Sequence, residues 1–415
     1  MQVQSNNNLA QPLLRLEVPR QIMAIVAKAG GEARFVGGVV RDVLAGIPVA
    51  DDADVDMAGT LLPEEAAHAL RASGFRVVPT GIDHGTITIV GKGHDVPRQK
   101  IELTTLRQDI RTDGRHAEVI FGTDWSADAA RRDFTINSLY VDAEGQIFDP
   151  FDGAKDLKAG RVRFIGNPTM RIREDYLRML RYFRFFARFG KGDPDAEAMD
   201  AIRRERHGLK QISGERVGAE IKGILLARSH PAINAMNLTG IDREIVEGGF
   251  TADNFANLIG FSADIPVMIL LGNLIGHASP GDVADRLRLS NAERRLLVQA
   301  AEKTDIEALE GNAWQGRAWR FARDAKIDMK TLSYLYAAWS IQKRGTVDGR
   351  HQSRLENWRM PVFPVTGGDL LARGFQQGEE LGHALSMLEE QWIKGEFIDG
   401  KDDLLNSLDA GRTKR

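Results

Sequence analysis

Gly37-Gly38-Val39-Val40-Arg41-Asp42, with Asp54-Val55-Asp56 after it, is the stretch around which the chain is read. Two glycines behind the apolar pair Phe35-Val36 let the backbone approach something bulky and charged, such as a triphosphate. Asp54 and Asp56 alternate on an extended segment, so their Cα–Cβ bonds point to one face. Side by side, two carboxylates repel unless a cation sits between them. A hard divalent ion, Mg²⁺ by preference, suits an oxygen site near phosphates. A lone Asp-x-Asp is usually a solvated turn. Here it follows a Gly-Gly turn and an apolar strand, which favours the metal-binding reading.

Outward from that stretch, Leu13 to Ala29 reads as a helix with Leu13, Leu14, Ile22, Ile25 and Val26 towards a core, ended by Gly30-Gly31. Ala33 to Val36 is a strand, Val39 to Ala45 a helix, and Val55 to Ala58 a strand. Pro63 to Ser73 is an amphipathic helix, with proline in its first turn and Gly74 as its stop. Arg76-Val77-Val78, Gly85 to Val90 and Lys100 to Leu106 are further strands. The pattern is α+β: a small mixed sheet with one helical face, followed by a largely helical remainder.

Bulk numbers set outer limits. At 415 residues the chain is expected to hold about two to four modules. A hydrophobic share of 43% and a charged share of 27% are ordinary for a globular protein. The net charge of −3 gives no global basic field, so nucleic acid has to be held by local patches. The absence of cysteine excludes disulfides and thiolate chemistry and fits a reducing cytoplasm. No run of about 18 apolar residues marks a membrane span, the polar start lacks a signal-peptide core, and nothing points to a protein partner.

Glu102 lies mid-strand, on one face with Thr104. It is either a third carboxylate beside Asp54 and Asp56 or part of an exposed strand face. Three acidic groups on neighbouring strands suit in-line displacement at phosphorus. Asp109 to Ala130, with Thr112-Asp113-Gly114-Arg115-His116, reads as a long mobile loop of functional type. Arg131-Arg132-Asp133-Phe134-Thr135-Ile136-Asn137-Ser138 is either a solvated helix start or a cluster that grips phosphate and ribose.

Asp149-Pro150-Phe151-Asp152-Gly153 is a turn-rich joint. Arg171 to Phe189 follows helical spacing, with Tyr176, Met179, Leu180, Phe183 and Ala187 on one arc and arginines opposite. The plain alternative is a solvated face. Asp175 and Arg178, at i and i+3, are expected on one side of that helix. A carboxylate accepts from the amino group of cytosine or adenine, and a guanidinium donates to the ring nitrogen. Guanine and uracil leave such groups unpaired. Arg181, of the same arginine-rich stretch, is added to the nucleotide-binding set.

Ile212 to Val217 reads as a helix start capped by Ser213. Trp314, Trp319 and Trp339 are expected in the core. Gly374, Gly378 and Gly382 recur every four residues, which reads as close helix packing or a backbone laid near RNA phosphate. Lys401 and Arg412 to Arg415 read as a frayed basic end. His94-Asp95 is an HD dipeptide without a second such pair on helices, so it is set aside as a decoy.

These residues resemble the class II tRNA nucleotidyltransferases, or CCA-adding enzymes, and their relatives the bacterial poly(A) polymerases. Gly37 to Asp42 with Asp54-Val55-Asp56 looks like the family's triphosphate- and metal-binding motif, and Arg131 to Asn137 like its ribose motif. Asp149 to Leu157 resembles the hinge motif, Glu174-Asp175-Tyr176-Leu177-Arg178 the EDxxR base-templating motif, and Ile212 to Val217 the helix supporting it. The spacing from Asp42 to Asp54 is slightly long for the family, with Asp51-Asp52-Ala53 inserted, and Ser138 replaces a usual alanine.

The resemblance implies a nucleotidyltransferase head over residues 1–145, then an all-helical neck (146–228), body (229–345) and tail (346–415), body and tail holding tRNA. It implies addition of C, C and A to the tRNA 3′ end from CTP and ATP with Mg²⁺ and release of pyrophosphate. Asp54, Asp56 and Glu102 would be catalytic, Asp54 and Asp56 holding metal. Gly37, Gly38, Arg41, Asp42, Arg131, Arg132, Asp133, Asn137, Asp175, Arg178 and Arg181 would bind nucleotide. Thr80-Gly81-Ile82-Asp83-His84 lacks the basic residues typical of poly(A) polymerases, and the segment 109–130, with Arg111 and Arg115, is as complete as full CCA addition requires. Poly(A), CC-only or A-only synthesis, and a catalytically silent RNA-binding protein, are the alternatives.

Overall fold

The computed structural model describes residues 3–4, 9–81, 85–92, 100–112, 117–302, 306–311 and 313–412. His94-Asp95, Ile82 to His84, Asp113 to His116 and Thr413 to Arg415 lie outside them. Residues 1–250 with 286–288 form one compact unit; 251–285 with 289–415 form a second.

The strands of the first unit are β1 (Val3–Gln4), β2 (Ala33–Val36), β3 (Asp54–Gly59), β4 (Phe75–Gly81), β5 (Thr86–Lys92), β6 (Lys100–Thr105), β7 (Arg107–Thr112), β8 (Ala117–Phe121), β9 (Tyr140–Val141) and β10 (Ile147–Phe148). Eight make one sheet in the order β1-β10-β9-β2-β3-β6-β5-β4, while β7 and β8 pair apart from it. The sheet is mixed because β3 and β6 run parallel and the other pairs antiparallel. A parallel pair needs a crossover; here it is helix α4 (below) with β4 and β5. In β3, Val55 and Met57 are buried while Asp54 and Asp56 are exposed, the alternation a strand dictates.

Helices α1 (Gln11–Leu14), α2 (Glu17–Lys28), α3 (Gly38–Leu44) and α4 (Pro63–Ala72) accompany the sheet. Leu13 to Ala29 is thus two helices, broken at Leu16, whose ψ of 108° is extended. The expected loop Asp109 to Ala130 is instead most of the β7–β8 hairpin followed by α5 (Trp125–Ala130), which Asp124 caps from Ser126 and Ala127 N–H groups. Strand β7 (Arg107-Gln108-Asp109-Ile110-Arg111-Thr112) is too polar to stand out by hydrophobicity, while β8 is mostly apolar.

Helices α6 (Gly153–Ala159), α7 (Pro168–Glu174), α8 (Arg178–Phe189), α9 (Ala196–Glu205), α10 (Gly214–Leu226) and α11 (His230–Thr239) complete the first unit. Asp149 accepts from the Gly153 and Ala154 N–H groups and so fixes the joint into α6. A Cβ at Gly153 would stand 2.1 Å from the Thr135 carbonyl oxygen, so only glycine fits there. Arg171 to Phe189 is not one helix. Asp175 is extended (φ −154°, ψ 107°), and its Oδ1 accepts from Leu177 N–H at 3.1 Å. That local turn competes with the helix and breaks it. Beyond the break, α8 buries Met179, Leu180, Tyr182, Phe183, Phe185, Phe186 and Phe189. Ser213 occupies the N-cap position of α10, but its side chain makes no capping bond.

The described helices of the second unit are α12 (Phe255–Phe261), α13 (Val267–Leu274), α14 (Pro280–Arg286, whose Arg286 counts with the first unit), α15 (Asn291–Glu302), α16 (Trp314–Ala325), α17 (Met329–Arg344), α18 (Gly349–Asn357), α19 (Gly367–Ala372), α20 (Glu379–Lys394) and α21 (Lys401–Arg412). Trp314, Trp319 and Trp339 are buried, as expected of core residues. Trp319 packs with Leu370, Leu388, Trp392 and Leu404 and donates to the Pro361 carbonyl at 2.8 Å. The glycine repeat is not a packing stripe. Gly374 and Gly378 take positive φ at helix ends, and a Cβ at Gly374, Gly378 or Gly382 would meet nothing within 4 Å. Lys401 does not fray: it opens α21 and pairs with Asp369. No described helix is long and apolar enough to cross a membrane.

Candidate active site

Register brings the three predicted carboxylates together. β3 and β6 align Asp56 with Glu102 and Asp54 with Lys100. Glu102 is half-buried and ion-paired to Lys100 at 2.8 Å. Although the residue keeps solvent access, crowding strips hydration from the Asp56 carboxyl and raises its pKa first, then the negative charges of Glu102 and, more weakly, Asp54 add to the rise; Arg132 opposes it. A carboxylate destabilised by its acidic neighbours is the electrostatic signature of a place that takes a cation. Asp54 and Asp56 fit a divalent ion by donor type. Among the described residues no three acidic or histidine groups close into one ligand cluster, and Glu102 is turned onto Lys100.

Beside them the Gly37 turn carries φ 70° and ψ −126°, a conformation open to glycine and hostile to other residues. Gly37 N–H donates to the Leu139 carbonyl. A Cβ on Gly37 would lie 3.5 Å from Arg132 Nη1, which places that guanidinium at the turn.

Five of the other predicted nucleotide-binding residues, Arg41, Asp42, Asp133, Asn137 and Arg181, form with Arg188 a continuous hydrogen-bonded chain. Arg188 donates to Asp42 Oδ2 at 2.9 Å, and Arg41 to Asp42 Oδ1 at 2.7 Å. Arg41 Nη1 donates to Asn137 Oδ1 at 2.6 Å, Asn137 Nδ2 to Asp133 Oδ1 at 2.9 Å, and Arg181 to Asp133 Oδ2 at 2.6 Å. Arg41 is buried and stacked over Phe185 and Phe189. Burial by itself raises the Asp133 pKa, but Arg181, Asn137 and the Phe134 N–H outweigh it and hold the carboxylate below its ordinary value. Phe134 and Ile136 are fully buried anchors. The cluster is therefore an internal frame, not a solvated helix start. Ser138 is buried and donates to the Thr135 carbonyl, which accommodates its hydroxyl.

Asp175 and Arg178 flank the α7–α8 break and have different partners. Asp175 Oδ2 accepts from Arg216 at 2.7 Å. Arg178 Nη1 donates to Glu174 and to the Arg171 carbonyl, the latter at 2.8 Å. The expected i, i+3 placement on one helix is thus corrected, because the Asp175 turn lies between them. Nor are the arginines a solvated face: Arg171 and Arg178 share Glu174, and Arg184 meets Glu220 at 2.6 Å.

Sequence reading missed several members of this network. Asp128, Tyr140, Arg171, Glu174 as a partner, Arg188 and Arg216 all enter through contacts. Arg171 donates to the Arg131 and Arg132 carbonyls, so it joins α7 to the predicted ribose motif. The only signal for Arg171 in the chain was its place in an arginine-rich run.

Residues 33–163 match the poly A polymerase head domain family. The chain is 36% identical over 403 residues to the mitochondrial CCA tRNA nucleotidyltransferase 1 of Mus musculus, covering 94% of this chain and 89% of that protein. It is 30% identical over 412 residues to the CCA-adding enzyme of Ligilactobacillus salivarius, covering 93% and 94%. The fold resembles that of the Bacillus stearothermophilus CCA-adding enzyme solved in complex with CTP, with a TM-score of 0.71 at 24% identity, over 95% of this chain and 97% of the other. The likeness to curated relatives runs nearly end to end, and the chain belongs to the class II tRNA nucleotidyltransferases, the family of the CCA-adding enzymes.

Proposed function

We propose that this protein adds C, C and A in turn to the 3′ end of tRNA, using CTP and ATP and releasing pyrophosphate. The observation that carries this is the full-length kinship with CCA tRNA nucleotidyltransferases; the geometry supplies the residues. The tRNA 3′-hydroxyl oxygen bonds to the α-phosphorus, and the bond to pyrophosphate breaks as the hydroxyl proton is lost. The family uses a divalent metal. We assign Mg²⁺ to Asp54 and Asp56, where it would supply Lewis-acid activation and charge neutralisation.

In this reading Glu102 orients the incoming hydroxyl more than it holds metal, a role supported by its alignment with Asp56 and its Lys100 partner. Arg132 meets the nucleotide at the Gly37 turn. The frame of Arg41, Asp42, Asp133, Asn137 and Arg181 fixes where the turn and Arg132 stand. Asp175 and Arg178 template the base, giving up Arg216 and Glu174 when a pairing edge arrives. The head, neck, body and tail keep the boundaries 1–145, 146–228, 229–345 and 346–415, and the cytoplasm is the proposed compartment.

The test is purified protein with tRNA ending before CCA and each NTP separately, read on a sequencing gel. CTP should extend by two residues and ATP should then add one. Long runs from ATP alone would favour a poly(A) polymerase, since the head-domain family includes that activity by name. No extension at all would favour the silent RNA-binding scaffold.

A further inference from the structure

Asp128 is a carboxylate only 1% exposed, on the last turn of α5, and it faces two guanidinium groups and a phenol hydroxyl. Its Oδ1 accepts from Arg131 Nε at 2.8 Å and is ion-paired with Arg131 Nη2 at 2.6 Å. Its Oδ2 accepts from Arg132 Nη2 at 3.2 Å and from the Tyr140 hydroxyl at 2.7 Å. The same hydroxyl accepts from Arg132 Nε at 3.0 Å. Arg132 is thus held along its Nε–Nη2 edge by a closed three-member ring, Asp128–Tyr140–Arg132.

The ring stands on rigid elements. Tyr140 is fully buried on β9, opposite Val36 on one side and Phe148 on the other, with the Trp125 ring edge-on at 5.4 Å. Val36 is the last residue before the Gly37 turn, so one strand pair sets both the turn and the tyrosine that holds Arg132. Burial opposes charge on Arg132, yet Tyr140 and Asp128 outweigh it and raise its pKa, so it stays cationic. Nη1, the atom near Gly37, makes none of these bonds.

We infer that Asp128 and Tyr140 are positioning residues that aim Arg132 Nη1 at the nucleotide held by the Gly37 turn. This rests on the reading of Arg132 as a nucleotide ligand. The competing account is that Asp128 merely ties down the end of α5 through i, i+3 and i, i+4 pairs.

A double-mutant cycle separates the two. Tyr140→Phe keeps the ring packing and removes the hydroxyl that orients Arg132. It should raise the KM for CTP and for ATP about tenfold, as expected for one hydrogen bond to a charged group, and leave the KM for tRNA unchanged. Asp128→Asn should act in the same direction. Should that variant fail to fold, Tyr140→Phe carries the test alone. In an Arg132→Ala background, Tyr140→Phe should cause no further loss. A tenfold loss that persists there overturns the positioning role and leaves Arg132 as a ligand. An Arg132→Ala protein with the wild-type nucleotide KM overturns the ligand reading, and the positioning role with it.

Discussion

The two walls of the candidate site are built on opposite electrostatic plans. On β3 and β6, the carboxylates crowd one another, and Lys100 on Glu102 is the one ion pair formed among them and their cross-strand neighbours. On the motif from Arg131 to Asn137 and on α8, nearly every charge has a partner of opposite sign, from Arg188 through Asp42, Arg41, Asn137 and Asp133 to Arg181. In the proposed reading the first wall would gain its missing charge from a bound cation. The second is preorganised before any ligand arrives. If so, the carboxylates of the first wall should be expendable for folding, while the paired groups of the second should not.

The largest predicted effect breaks that comparison at its acidic side. Asp54→Ala should cut CMP incorporation by about three orders of magnitude or more, as loss of metal-dependent phosphoryl chemistry does, while tRNA binding and the urea midpoint stay put. Mg²⁺ should raise the Tm of the wild type and not of this variant. Near-normal incorporation would remove Asp54 from the metal site. Glu102→Ala should be milder, because its carboxylate is already committed to Lys100.

Base choice comes next. Two mismatched polar groups in a closed pocket, at about 1–3 kcal/mol each, give roughly hundredfold or greater discrimination. Asp175→Ala should relax rejection of UTP while weakening CTP and ATP. Arg178→Ala should weaken both correct nucleotides together. Four-nucleotide competition on tRNA ending before and after CC measures this. Wild-type rejection of UTP and GTP by both variants would confine these residues to their pairs with Arg216 and Glu174.

The acidic wall was legible in the sequence and much of the basic wall was not. Asp-x-Asp on a strand is a local pattern, because alternation alone fixes which face both side chains take. Glu102 needed only the next inference, that β6 lies beside β3. The break at Asp175 was hidden because helical spacing continues through it: Ile172 before it and Tyr176, Met179 and Phe183 after it stay at i, i+3 and i, i+4 spacing. What breaks the helix is a side-chain turn at Leu177 N–H and a partner, Arg216, far along the chain. Asp128 and Tyr140 have no spacing that marks them, since their meaning lies in what they touch. The β7–β8 hairpin was missed because β7 is almost all polar and charged, which reads as loop and left the apolar β8 without an evident partner strand.

Stability sharpens the contrast at smaller scale. Arg181→Ala leaves Asp133, itself only 9% exposed, without its cation. Breaking a buried pair costs about 3–5 kcal/mol. Arg181 is a third exposed, so about 2 kcal/mol is the better expectation. The urea midpoint should fall clearly for Arg181→Ala and hardly at all for Asp54→Ala. Equal shifts would mean that the two walls do not differ in their contribution to folding.

The smallest effect is in pH dependence, where the two walls should give opposite signs. The Asp56 pKa is raised in the folded protein, so between the ordinary value of 3.8 and its folded value the native state binds the extra proton. Stability then falls as pH rises through that window. In metal-free buffer Asp56→Asn should therefore melt slightly above the wild type at pH 7, and the advantage should vanish below 3.8. Asp133 is the reverse: its folded pKa is lowered, so its stabilisation is complete above 3.8 and is lost as pH falls through the folded value. Asp133→Asn should melt below the wild type at pH 7, with the gap closing only under stronger acid. Difference curves of Tm against pH for the two variants decide this. If both slope the same way, the crowding of Asp56 by Glu102 and Asp54 is relieved without a cation, and the contrast between the walls fails at its acidic end.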